Sequence, residues 1–248
     1  MRTFGLAGYP LSHSFSQKYF TEKFKRENIS DCEFKIFPIE DVNKLPAIIK
    51  SNPTLSGLSI TIPHKQSVLK YLNDIDSAAK NIGAVNCIRI STHSSGVRLK
   101  GYNTDVFGFE KSLTPLLKPH HNKALILGTG GASKAVAYVL DNRMIKFRLV
   151  SRTKGNISYS AITRSIIEEY SLIINTTPLG MFPNVNEYPD IPYEFLSSNH
   201  LLYDLTYNPE ESLFLKKGKK NGAQTKNGLE MLYLQADKAW EIWNSFAN

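Results

Sequence analysis

Apolar positions follow two periods along this chain. TFGLAG at 3–8, EFKIFPI at 33–39 and LSITI at 58–62 are short β-like runs, and a stretch carrying Phe15, Tyr19, Phe20 and Phe24 at helical spacing separates the first two. The opening hundred residues therefore read as a βαβ series. In LSITI, a period of two sets Leu58, Ile60 and Ile62 on one face and Ser59 and Thr61 on the other, and Pro63 stops the strand. AVNCIRI at 84–90 and GVRLKG at 96–101 flank the polar STHSS, which predicts a hairpin with its loop at 91–95. Asn103 or Thr104 can then cap a helix running toward Leu117, ended by Pro119.

A second βα series contains KALILG at 123–128, FRLV at 147–150, LIIN at 172–175 and LLYDL at 201–205. These runs are nearly continuous in apolar character, as strands covered on both faces are. From Gly228 onward, Leu229, Leu232, Tyr233, Ala236, Ala239, Trp240 and Trp243 keep helical spacing, so an amphipathic helix closes the chain and returns to the first domain. The interval from Thr153 to the run at 172 is short. ISYSAI at 157–162 could be a strand and TRSIIEEY at 163–170 a helix, but KGN alone separates that strand from SRT at 151–153. Parallel neighbours need a crossover of about a dozen residues or more, so the helix after the second strand of this series is expected to be missing or reduced.

Composition narrows the class. With 248 residues, 42% hydrophobic and 21% charged, the chain suits two modest globular cores and excludes disordered or collagen-like classes. No run approaches the ~18–20 apolar residues of a membrane span, and the expected compartment is the cytoplasm. Thirty Lys and Arg against 22 Asp and Glu give +8, which favours anionic partners. The basic residues are scattered apart from KKGKK at 216–220, which reads as the solvated C-terminal end of a helix, and no nucleic-acid signature accompanies them. Cys32 and Cys87 form no CxxC pair and read as reduced and structural, and adjacent His120 and His121 lack metal-ligand spacing.

ALILGTGGASKA at 124–135 sets Gly128, Gly130 and Gly131, followed by Ala132, between an apolar strand and a helix. A sharp strand-to-helix turn favours residues without a Cβ, and the helix start offers free N–H groups to a pyrophosphate. Ser133 takes the place of the third glycine in G-x-G-x-x-G, so the fingerprint is incomplete. After the next strand come Ser151, Arg152, Thr153 and Lys154, with no acid for a ribose diol. A guanidinium, hydroxyls and an ammonium suit the 2′-phosphate of NADP instead; a basic surface turn is the plainer alternative.

Polar clusters lie at expected strand ends in the first half: LSHSFS at 11–16, SITIPHK at 59–65, GAVN at 83–86 and GYNTD at 101–105. Singly they read as helix caps, a solvent lysine, a turn asparagine and a first-turn acid. Together with NTTPLGM at 175–181, DLTYNP at 204–209 and NGLEMLYLQA at 227–236, they resemble the shikimate dehydrogenase family over essentially the whole chain. The resemblance implies an α/β protein with a substrate-binding and catalytic domain at 1–105 and 226–248, facing an NADP-binding Rossmann domain at 106–225. It implies NADPH-dependent, reversible reduction of 3-dehydroshikimate to shikimate, by a monomer or homodimer. Ser14 and Ser16 match the hydroxyls that hold the substrate carboxylate, with Tyr207 near it. Thr61, Lys65, Asn86, Asp105 and Gln235 match residues around the ring hydroxyls. Arg152 and Thr153 match adenosine-phosphate contacts, and Thr176, Met181 and Gly228 fall in segments beside the nicotinamide. Departures are Gln17 for a common proline, Ser59 and Ser151 for asparagines, and Cys87 for a hydroxyl residue. Lys65 is the candidate proton donor, with Asp105 orienting it. A catabolic quinate/shikimate dehydrogenase using NAD, or a non-catalytic dinucleotide sensor, are the rival readings.

Overall fold

The chain divides into two compact units, Met1–Thr104 with Ala236–Asn248, and Asp105–Gln235. The computed structural model describes residues 1–11, 15–94, 96–152 and 156–245. The return crossing falls inside the last helix, later than the 225/226 boundary suggested by motif order.

The first unit contains β1 (Arg2–Gly8), α1 (Phe15–Arg26), β2 (Cys32–Pro38), α2 (Leu45–Ser51), β3 (Leu55–Ile60), β4 (Asp74–Ile75), α3 (Ser77–Ile82), β5 (Cys87–His93) and β6 (Gly96–Tyr102). One six-stranded sheet runs β2-β1-β3-β5-β6-β4, with β1 parallel to β2 and β3, and β5 antiparallel to β3 and β6. Alternation sends successive side chains into two cores. Leu58, Ile60, Ile88 and Ile90 join Leu45 and Val68 on one side, while Phe4, Leu6 and Cys87 join Phe20, Phe24 and Trp243 on the other. Trp243 stacks on Phe4 with ring centroids 5.1 Å apart and donates its indole N–H to the Ile88 carbonyl at 3.1 Å. That approach requires Gly57, where an added Cβ would stand 2.5 Å from the indole Cγ.

The second unit holds most of α4 (Thr104–Leu113), followed by β7 (Lys123–Leu127), α5 (Gly131–Asn142), β8 (Lys146–Val150), α6 (Arg164–Glu169), β9 (Leu172–Asn175), β10 (Leu201–Asp204), α7 (Leu213–Lys220), β11 (Gln224–Lys226) and the first turns of α8 (Leu229–Asn244). Its five strands are all parallel, in the order β11-β10-β9-β7-β8. Leu125 and Leu127 enter one core and Ala124 and Ile126 the other, so both faces are covered, as the apolar runs predict. The chain steps from β7 outward to β8 and then to β9 on the other side of β7, the reversal of strand order at which ligands bind in open α/β sheets. The lysine-rich 216–220 segment ends α7, whose Ser212 cap accepts from the Leu215 N–H. No helix among the described residues is long and apolar enough to cross a membrane.

Four local expectations are corrected. β3 ends at Ile60, and Ile62 is exposed, because the Thr61 carbonyl closes a turn with the His64 N–H. β5 begins at Cys87 rather than at residue 84, since Asn86 turns its side chain to Thr104. The β5–β6 ladder continues through Thr92–Val97 to His93–Gly96, so most of the expected 91–95 loop is paired strand. α4 stops at Leu113, with a 3-10 turn over 114–116, because Pro115 has no N–H and restricts Thr114. Between β8 and β9, among the described residues, ISYSAI forms a single parallel bridge, Val150 with Ile157, followed by a 3-10 turn, and α6 spans six residues. The connection has contracted as the spacing suggests, although ISYSAI is not a strand.

Candidate functional site

In the first unit the expected residues gather at the carboxyl ends of β1 and β3. The Thr61 N–H donates to the Ala7 carbonyl at 3.0 Å and the Ile60 N–H to the Asn86 carbonyl at 2.7 Å. Two residues past a buried His64, Gln66 opens the next turn, and Lys65 between them is half-buried. The His64 ring Nε2 lies 2.7 Å from the Ile39 carbonyl, which makes that nitrogen the protonated one. The Lys65 carbonyl accepts the Val85 N–H at 2.7 Å. The next residue, Asn86, is buried and uses its side-chain amide on the start of α4. Its Oδ1 accepts the Thr104 N–H at 2.7 Å, and its Nδ2 donates to the Thr104 hydroxyl at 3.0 Å. Asn86 is thus a clamp on the residue before Asp105, a role its sequence position did not reveal. Ser16 lies in the first turn of α1, half-buried; Ser14 falls outside the described residues, as do Thr153 and Lys154.

In the second unit the described residues among those expected at the cofactor follow the carboxyl ends of β7, β8 and β9, and Gly228 packs against Leu205, just past β10. Gly128 has φ +107°, and an added Cβ would stand 2.8 Å from the Thr176 hydroxyl. Gly130 precedes α5 without a side-chain cap, and a Cβ there would meet nothing within 4 Å. Helix-start N–H groups beside open space fit a pyrophosphate. Ser133 is buried and returns its hydroxyl to the Gly130 carbonyl at 2.6 Å, so it replaces the third glycine without intruding on the turn. Thr176 is pinned to the Leu127 carbonyl by its N–H at 2.9 Å and its hydroxyl at 2.7 Å. Ser151 is buried, its N–H on the Ile157 carbonyl and its hydroxyl accepting from Asn156 at 3.2 Å; Arg152 is exposed. Ser151 therefore shapes the turn, and Arg152 next to it is exposed. Met181 is 40% exposed. The Gly228 N–H donates to the Thr206 carbonyl at 3.0 Å, packed on the segment that carries Tyr207. Burial pushes the Tyr207 phenol upward. The Gln235 amide donates within α8 to the Leu232 carbonyl at 3.0 Å.

The sequence reading missed Asp204 and Asn175, both fully buried. Asp204 Oδ1 accepts from Asn175 Nδ2 and from the Thr206 N–H, each at 3.0 Å, and Oδ2 accepts the Ser212 hydroxyl. Burial pushes the carboxyl up to about 6, against the opposing pull of those donors. The available signal was an acid inside the apolar run LLYDL and an amide closing LIIN.

The comparisons with known proteins agree with this geometry. The family model described as the shikimate dehydrogenase substrate binding domain matches residues 6–88. A shikimate dehydrogenase (NADP(+)) of Clostridium beijerinckii is 42% identical over 98% of this chain and 92% of its own length. Solved shikimate dehydrogenases align along nearly the whole chain. That of Peptoclostridium difficile has a TM-score of 0.81 at 38% identity, covering 100% of this chain and 94% of its own. That of Thermus thermophilus, in complex with NADP(H) and shikimate, has a TM-score of 0.82 at 27% identity, covering 99% and 94%. Motif set, parallel-sheet loop and full-length similarity agree: the chain belongs to the family of NADP(H)-dependent shikimate dehydrogenases.

Proposed function

We propose that this protein catalyses the reversible reduction of 3-dehydroshikimate to shikimate with NADPH, in the cytoplasm, on the route to chorismate and the aromatic amino acids. Two free cysteines, Cys32 and Cys87, suit a reducing compartment. Lys65 donates a proton to the carbonyl oxygen as negative charge develops there, and its neutral amine takes the proton back in the reverse direction. Asp105 orients the ammonium. Ser14, Ser16 and Tyr207 bind the carboxylate; Thr61, Asn86 and Gln235 bind ring hydroxyls. Gly128, Gly130, Gly131 and Ala132 offer backbone to the pyrophosphate, Ser151 shapes the turn from which Arg152, Thr153 and Lys154 take the 2′-phosphate, and Thr176, Met181 and Gly228 border the nicotinamide. When bound, the cofactor supplies the hydride.

One observation carries the assignment of the pair. The Lys65 carbonyl is tied to Val85, the adjoining Asn86 grips Thr104, and Asp105 is the next residue in the chain. This run of hydrogen bonds links the Lys65 backbone to Thr104, the residue before Asp105, and supports reading the two as a pair. The test follows reduced-cofactor absorbance with shikimate and NADP+, then with NAD+ and with quinate. Lys65→Ala is expected to lower turnover by about 10²–10⁴ while leaving NADP+ affinity unchanged. Near-normal turnover in that variant removes the proton role from Lys65, and absence of wild-type signal with every pair removes the enzyme reading.

A further inference from the structure

The Asp204 carboxyl joins two loops that sequence order keeps apart. Asn175 and Asp204 are the last residues of the adjacent strands β9 and β10, and their side chains meet at 3.0 Å. Asn175 Oδ1 also accepts from Thr177, through its N–H at 3.0 Å and its hydroxyl at 2.6 Å, which shapes the turn beginning at Thr176. Asp204 takes the Thr206 N–H, one residue before Tyr207. A second link, from the Phe182 N–H to the Asn208 carbonyl at 3.0 Å, closes the pair of loops into one body. The Ser212 hydroxyl, which caps α7, binds the other carboxyl oxygen. Among the described residues, no salt bridge neutralises Asp204; the Tyr193 phenol, bonded to the Pro189 carbonyl at 2.7 Å, lies within reach of its charge.

A buried carboxylate without a cation costs stability, whereas an asparagine of the same shape would keep the Asn175 and Thr206 bonds at no such cost. A merely structural clamp would therefore favour the amide. We propose that Asp204 is a positioning residue, whose charge-strengthened bonds hold the Thr176 turn and the Tyr207 segment in ligand-binding geometry. This rests on the reading of Thr176 and Tyr207 as cofactor and substrate contacts.

The experiment compares wild type with Asp204→Asn and Ser212→Ala at pH 7.5, by thermal melting, by calorimetric Kd for NADP+ and for shikimate, and by steady-state kinetics. Expected for Asp204→Asn is a melting temperature equal to or above wild type, a shikimate Kd and KM raised about fivefold or more, and a smaller rise in NADP+ Kd, with kcat within about threefold; a bond to an ionised acceptor is about twice as strong as a neutral one. Ser212→Ala moves the same constants less. Unchanged ligand affinities overturn the proposal, and so does a fall in melting temperature that parallels the loss of affinity, since that marks a purely structural clamp. If wild type binds NADP+ but not shikimate, the substrate reading of Tyr207 fails, and the NADP+ arm alone decides the role of Asp204.

Discussion

Gly228→Ala isolates the contact between the start of α8 and the segment that carries Tyr207. The backbone at Gly228 is not in the left-handed region, so steric overlap alone opposes an alanine. The new Cβ would stand 2.6 Å from the Leu205 carbonyl carbon, closer still to its oxygen, and 3.1 Å from the Leu205 Cα. Carbon atoms in contact settle at about 3.5–4.0 Å, so backbone on one side must yield by roughly 1 Å. Leu205 is held on its other side by its N–H to the Asn175 carbonyl at 3.0 Å, and the Gly228 N–H to Thr206 lies directly in the path of the shift. Overpacking of this kind costs about 1–3 kcal/mol, and a misplacement of about 1 Å in a catalytic constellation can cost about 10²-fold in rate. The assay is kcat/KM for shikimate at saturating NADP+, with melting temperature and circular dichroism on the same samples. Expected is a fall of about 10²-fold in a protein that remains folded. A variant within twofold of wild type in kcat/KM would refute the link between this contact and the ligand-binding geometry.

Gly128→Ala should weaken NADP+ binding by at least tenfold in calorimetry, because it combines φ +107° with a Cβ 2.8 Å from the Thr176 hydroxyl; an unchanged Kd would place the phosphates elsewhere. Trp243→Ala should cost about 3–5 kcal/mol in urea unfolding, since Trp243 is buried on Gly57 and Phe4, and a loss below about 1 kcal/mol would show that α8 contributes little to that core. Asp204 gives a pH dependence. Its native carboxyl is raised from 3.8 to about 6, so the folded state holds the proton more tightly than the unfolded chain. That stabilisation is complete below the unfolded value and is lost as pH rises through about 6. Relative to Asp204→Asn, wild type should therefore lose on the order of 2–3 kcal/mol between pH 4 and pH 7 in urea titrations, and a difference that stays flat with pH would rule this out.

Much of the second unit was legible because parallel strands covered on both faces read as apolar runs, and because glycines after such a run mark a turn that few other residues can make. KALILG, FRLV, LIIN and LLYDL each became a strand within a residue or two. What escaped depends on partners distant in sequence. Ile62 continues the alternation of LSITI, yet it leaves the sheet because Thr61 turns toward His64. Asn86 continues the apolar run at 84–90, yet its amide bonds Thr104, 18 positions on. Asp204 and Asn175 acquire their roles through each other across 29 positions. The α4 terminus is different in kind, since Pro115 stood in the sequence and sufficed to end the helix.

Among the described residues a single bridge, Val150 with Ile157, flanks β8 at the margin of its sheet. An outermost strand with unpaired peptide groups invites a foreign strand to add itself and seed aggregates. Here the strand is five residues long, its exposed positions are Lys146 and Arg148, and Ile157 covers its far end. Brevity, positive charge and that capping residue make the margin a poor template for self-association, so a short connection after β8 leaves no adhesive rim.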